Sequence, residues 1–160
     1  MARRPDSLSV ELNDQKRLAS ELFNYTWTLL ERPNRSQADE ERIVNAAHAS
    51  RLFWEQAGEP AQHARGEWQI SRVYATVGRA EPSLHHARRC LELCEEHSLG
   101  DFDLACAHEA LARAHALAGD AAAAARHARE GHEVAERIAD EEDRELVLGD
   151  LATVPQTRPG

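Results

Sequence analysis

Apolar residues recur along this chain at intervals of three and four, the spacing of one helical face rather than the alternation of a strand. Leu18, Leu22, Tyr25 and Leu29 form the first such stripe, in a segment running from about residue 13 to 31. Pro33 ends it, because the residue before a proline is pushed out of the helical region. Ser36, with Asp39 three positions on, predicts a capping box for a second helix that reaches about Ala57, with Gly58 as a left-handed C-terminal cap. Pro60 suits the first position of a third helix ending at Gly78, and Pro82 opens a fourth in the same manner. Gly100-Asp101 and Gly119-Asp120 each read as a terminating glycine followed by an Asp N-cap. Asp140 caps a short last helix that fades before Pro155.

This punctuation predicts an all-α chain of about seven helices with connections of roughly two to five residues, short enough to force antiparallel neighbours. No segment alternates β-branched residues between turn signals, so strands are not expected. The helices form one domain over residues 12–154, with a flexible arm at 1–11 and a flexible tail at 155–160. The alanine run at 121–125 belongs to a helix and allows close approach of backbones.

An internal repeat is visible. The block 68–78 matches the block 109–119, so that Tyr74 answers to His115 and Gly78 to Gly119, 41 residues apart. The following helices carry His86-Ala87-Arg88 and His127-Ala128-Arg129 at the same offset. A fixed period on helix-turn-helix units marks a stacked array. Each unit resembles a tetratricopeptide repeat: Tyr74, Gly78, Ser83, Ala87 and Cys90 fall on that pattern, as do His115, Gly119, Ala124, Ala128 and Gly131. The chain departs from it in its period of 41 rather than about 34, in His115 at an aromatic position, and in lacking the proline at the unit's end. The resemblance covers residues 61–139 well and 37–58 loosely. Ala47-His48-Ala49-Ser50-Arg51 and Gly66-Glu67-Trp68-Gln69 are also similar to blocks of a bacterial family that brings no assigned activity with it. The tetratricopeptide resemblance implies a right-handed stack of antiparallel helix pairs, an α-solenoid, whose concave groove takes a peptide or a partner helix.

Composition narrows the partners. The 160 residues carry 19 basic and 28 acidic side chains, a net charge of −9, which argues against nucleic acid as the ligand. No stretch approaches the ~20 apolar residues of a membrane span, and no apolar run follows Arg3 and Arg4 as it would in a secretory signal. Three cysteines cannot all pair within one chain. A cytoplasmic location is the expectation.

Chemistry concentrates in the first half, where all three tryptophans precede residue 69. On the third helix Ile70, Val73 and Val77 form one apolar arc, and Ala61, Ala64, Trp68 and Ala75 another. Glu67 falls between them beside Ser71 and Tyr74, with Arg65, Gln69 and Arg72 on the remaining polar side. On the second helix His48 lies between Val44 and Leu52, and Arg51 between that stripe and Trp54. A carboxylate in such a place must be paired, hydrogen-bonded or shifted in pKa. One reading is a structural Arg51–Glu67 ion pair with His48 as a core residue; another is a pocket walled by Trp54, Trp68 and Tyr74, closed by Trp27 and reached by His85. Cys90 and Cys94, one turn apart with His97 beyond, offer soft-metal ligands that Cys106 or His108 would complete, or else small buried hydrophobes.

The leading expectation is a non-enzymatic module that binds a protein or peptide segment in an aromatic and charged groove made of Trp27, His48, Arg51, Trp54, Glu67, Trp68, Tyr74 and His85. The alternative is a small-molecule or metal-binding helical protein with a pocket around His48, Glu67 and Tyr74, conceivably an enzyme. No Gly-x-Ser-x-Gly elbow, phosphate loop or dinucleotide fingerprint supports catalysis, and no cofactor can be named. Homodimerisation through exposed end faces is a further expectation.

Overall fold

Local capping signals set the helix ends in the computed structural model, which describes residues 6–156. The order is α1 (Leu12–Leu30), α2 (Gln37–Ala57), α3 (Pro60–Thr76), α4 (Ala80–Glu96), α5 (Asp101–Leu117), α6 (Ala121–Ala135) and α7 (Glu141–Ala152), with no strand among the described residues. None of these helices is long and apolar enough to cross a membrane. Of the arm and tail, residues 1–5 and 157–160 lie outside the described residues.

The predicted capping box at α2 forms: Ser36 Oγ accepts from Asp39 N at 3.2 Å, while Asp39 accepts from Ser36 N. Asp120 and Asp140 cap α6 and α7 through bonds from Ala123 N and Asp143 N. Pro60 occupies the first turn of α3, and Gly119 takes the left-handed φ of +83° after α5. Three termini differ from the sequence reading. Gly58 is extended, at φ −103°, and what it needs is space: a Cβ there would lie 2.8 Å from the Trp54 carbonyl oxygen. Arg79 is the N-cap of α4, which puts Pro82 third in the helix, where its missing N–H still breaks no intrahelical bond. Gly100 is the N-cap of α5 and Asp101 its first residue, the left-handed turn before it falling on Ser98.

Consecutive helices pack as pairs, α1 on α2, α3 on α4 and α5 on α6. The odd-numbered helices also touch in series, α1 to α3 to α5 to α7, whereas no Cα of α4 lies within 8 Å of α2 or α6. Odd helices therefore make an inner layer, and even helices stand outside it with seams between them. One apolar cluster gathers Leu29, Ile43, Ala47, Ile70 and Val73 from α1, α2 and α3; a larger one runs from Trp68 through Leu93, Cys106 and Leu111 to Val147 and Leu151. Fully burying a side chain such as Ile43 or Leu29 contributes about 1.5–3 kcal/mol.

Polar side chains lock these layers where the apolar pattern is silent. Ser50 donates to the Ala19 carbonyl at 2.7 Å, and Gln69 donates across to the Phe23 carbonyl at 2.8 Å. Ser71 and Ser83 exchange reciprocal bonds to each other's carbonyls, at 2.8 and 2.9 Å. These contacts correct the predicted faces. Gln69 is buried rather than on a polar side, and Gln15 is buried in α1 while Tyr25, expected on the apolar stripe, is 40% exposed. Leu52, expected beside His48 on the packed face of α2, is 51% exposed.

Removing a cap tests the reading of helix ends. Asp120→Ala is expected to cost about 1 kcal/mol in urea unfolding with an unchanged denaturant slope. A loss below a few tenths would show that α6 does not depend on the bond to Ala123.

Candidate functional site

The inner layer encloses a groove of about 710 Å³. Its walls are α1, through Phe23 and Trp27, and α7, through Asp143 and Leu146; α3 supplies the floor with Arg65, Trp68 and Arg72. Trp27 and Trp68 lean together with ring centroids 5.2 Å apart. The Arg72 guanidinium lies 5.7 Å from the Trp27 ring, and that of Arg65 lies 5.4 Å from Phe102, both in cation–π range.

Both arginines are neutralised from beneath. Arg65 binds Asp103 through two bonds of 2.7 and 3.2 Å. Arg72 reaches Glu109 at 3.0 Å and Asp150 at 3.2 Å. Glu109, 1% exposed, accepts in addition from Trp68 Nε1 at 2.9 Å and from Arg113 at 2.7 Å. Arg113 ties this hub to α7 through the Asp150 carbonyl and Thr153 Oγ1. Burial opposes the charge on Arg72, but Glu109 and Asp150 outweigh it and raise its pKa. Glu31 and Asp143 on the rim form no direct ion pair among the described residues, although Asp143 is near enough to Arg65 to help raise its pKa, and with Asp150 the lining carboxylates outnumber the groove's two arginines.

A second polar constellation sits on the other side of α3, in the seam between α2 and α4. Arg51 Nε donates to Glu67 Oε1 at 3.0 Å, and His86 Nδ1 lies 2.6 Å from Glu67 Oε2. His48 Nε2 is 2.9 Å from the Tyr74 hydroxyl, and the Tyr74 and His86 rings stack at 5.8 Å. Gly66 makes room for Arg51, since a Cβ there would meet Arg51 Cδ at 2.7 Å. Burial pushes the Glu67 carboxyl upward, but the bond and charge of His86 and then Arg51 win, leaving it below its ordinary value. Burial, helped by the His86 charge, lowers the pKa of His48.

The structure thus divides the residues that the sequence reading joined. Trp27 and Trp68 line the inner groove, and Trp54 borders a smaller cleft with Phe23 and Arg65. His48, Arg51, Glu67 and Tyr74 belong to the outer seam, where their polar atoms bond to one another. His85 is exposed and meets only the edge of His86, which is the histidine that binds Glu67. Cys90 and Cys94 are packed into the core and His97 is an exposed C-cap, so these three make no ligand set. The Cys90 thiol is pushed well above its ordinary value, first by its bond with Cys94 and then by burial. Sequence reasoning missed the roles of Arg72, Asp143 and Glu109; the available signal was the repeat, which makes Trp68 and Glu109 equivalent positions 41 apart.

No protein-family model matches this chain, and neither a curated protein nor a solved structure matches it.

Glu67 and His48 both have lowered pKa values, so each contributes stability above its unfolded pKa that is lost as pH falls through the folded one. For Glu67 that window starts near the unfolded value of ~4.3 and extends below it. Stability of Glu67→Gln, followed by denaturant unfolding from neutral pH downward, is expected to fall less steeply than wild type in that range. Parallel curves would remove Glu67 from the acid response.

Proposed function

We propose that this chain is a cytoplasmic, non-enzymatic interaction module of tetratricopeptide type, and that its inner groove takes an amphipathic protein segment bearing basic residues. One observation carries the reading. The groove combines an aromatic floor, Trp27 and Trp68, with the rim carboxylates Glu31 and Asp143, which form no direct ion pair among the described residues, and with Asp150 the lining carboxylates outnumber its two arginines. An aliphatic or aromatic anchor on the partner would bury against the indoles, and lysines or arginines flanking it would face the rim. The net charge of −9 favours encounter with such a segment. Leu146, 52% exposed beside Asp143, extends the apolar strip toward solvent and gives the partner a second foothold. The outer seam suits ligand capture less well, because its carboxylate and imidazoles already spend their hydrogen bonds within it.

Tryptophan emission supplies the test, with two model peptides as probes: a leucine–lysine amphipathic helix and a leucine–glutamate one, each about 18 residues and so about 27 Å long. The lysine peptide is expected to bind and shift emission, more weakly as salt rises, and the glutamate peptide is not. Asp143→Lys combined with Leu146→Ala alters only exposed side chains and is expected to weaken binding at least about tenfold, equivalent to about 1.4 kcal/mol. Equal affinity for both peptides, or none for either, would contradict the proposal.

A further inference from the structure

The seam between α5 and α6 brings together two imidazoles and a carboxylate. His108 projects from α5; His127 and Glu130 stand one turn apart on α6. Their Nδ1 atoms are 3.2 Å apart, and Glu130 Oε2 lies 3.2 Å from His108 Nδ1 and 3.3 Å from His127 Nδ1. We propose that this trio is a binding site for a divalent transition-metal ion, zinc above all.

The triangle has the size of one face of a zinc tetrahedron. Zinc bonds of about 2.0–2.1 Å at tetrahedral angles set neighbouring ligand atoms about 3.3–3.4 Å apart. The ring centroids are 5.5 Å apart, so the two Nδ1 lone pairs aim nearly at each other, and an ion beside that line is reached by all three atoms once both rings turn by some tens of degrees. Two imidazoles and one carboxylate are also a donor set that zinc accepts, with a fourth position left for water.

Protons alone fill this triangle poorly. Each Nδ1 either donates or accepts, never both. With Glu130 ionised and one Nδ1 protonated, the other Nδ1 turns a lone pair toward the carboxylate. With both protonated, two N–H groups crowd each other at 3.2 Å. While Glu130 is ionised one edge sets like against like, and a cation bound to all three atoms removes the conflict.

The repeat sharpens the case. Residues 41 positions before His108 and His127 are Glu67 and His86, which meet in the same way one seam earlier. There the third group is a cation, Arg51, bound to the carboxylate. In the later seam the third group is the carboxylate Glu130, and no Arg or Lys forms an ion pair with any of the three among the described residues. Arg126 is near enough to act on His127 but bonds none of the three, so the place that Arg51 fills in one seam is open to an ion from solution in the other. His115 does not join the set: its ring stacks on His127 at 5.6 Å and 10°, and its own Nδ1 is 3.6 Å from Asp120. It fixes the plane of the His127 ring instead. The side chains of His108 and His127 are 13% exposed, while that of Glu130 is 43% exposed, which leaves the ion a way in.

Cobalt(II) is the probe for a direct test on the full chain after chelator treatment. Titration is expected to give a visible absorption band of tetrahedral intensity at one ion per chain, displaced by equimolar zinc. His127→Ala is expected to abolish the band, and Glu130→Gln to weaken binding by at least about tenfold, with helical circular dichroism retained in both. Wild-type imidazole NMR under zinc is the readout that needs no variant: the His108 and His127 rings are expected to shift and those of His48 and His86 to stay. Absence of binding by wild type, binding undiminished in both variants, or a thiolate charge-transfer band that puts the metal on the cysteines would each overturn the proposal.

Discussion

Glu109 is a carboxylate at the centre of the inner layer, and its three donors decide how that layer is arranged. Left unpaired, a buried charge of this kind costs several kcal/mol. Trp68 and Arg72 on α3 and Arg113 on its own helix all bind it, and Arg113 and Arg72 continue to Asp150 on α7. Three of the four inner helices are thereby fixed in one register. The bond from Trp68 also sets the pitch of the indole against which Trp27 leans, and the bond from Arg72 holds a guanidinium near Trp27. The floor of the groove is in this sense a by-product of satisfying one carboxylate.

The outer seams obey the same electrostatic requirement with different groups. Between α3 and α4 the carboxylate of Glu67 is balanced by His86 and, from α2, by Arg51. Between α5 and α6 the equivalent positions hold His108 and His127, with a carboxylate beside them. The repeated backbone thus presents one side-chain geometry twice, and substitution at single positions changes what occupies it. The inner layer holds an aromatic groove, and the outer seams hold clustered ionisable groups.

Helix number and most helix ends were legible in the sequence, because caps act within four residues: Ser36 with Asp39, Asp120 and Asp140 needed no knowledge of the rest of the fold. Gly58 misled because a glycine also serves where a Cβ would strike a neighbour, here Trp54, without any left-handed turn. Faces were less legible than ends. A helical wheel says which residues share a side, and not which helix covers it, so Gln69 passed for a surface residue until Phe23's carbonyl came to meet it. The Arg51–Glu67 pair was readable, since both lie on adjoining helices in apolar surroundings. The separation of Trp27 and Trp68 from that pair was not, because it depends on α3 being packed between α1 on one side and α2 and α4 on the other. Nor was the Glu109 hub, whose donors come from α3 and α5 and reach on to α7.

Glu109 ties the inner layer together, and denaturant unfolding of Glu109→Ala measures that most directly. Removing the carboxylate takes from Arg113 its one ion-pair partner among the described residues, frees the Trp68 indole and weakens the hold on Arg72. A loss of about 3–5 kcal/mol, the usual consequence of breaking a buried pair, is expected, with tryptophan emission altered in any remaining native state. A loss under about 1 kcal/mol, with native emission unchanged, would contradict it.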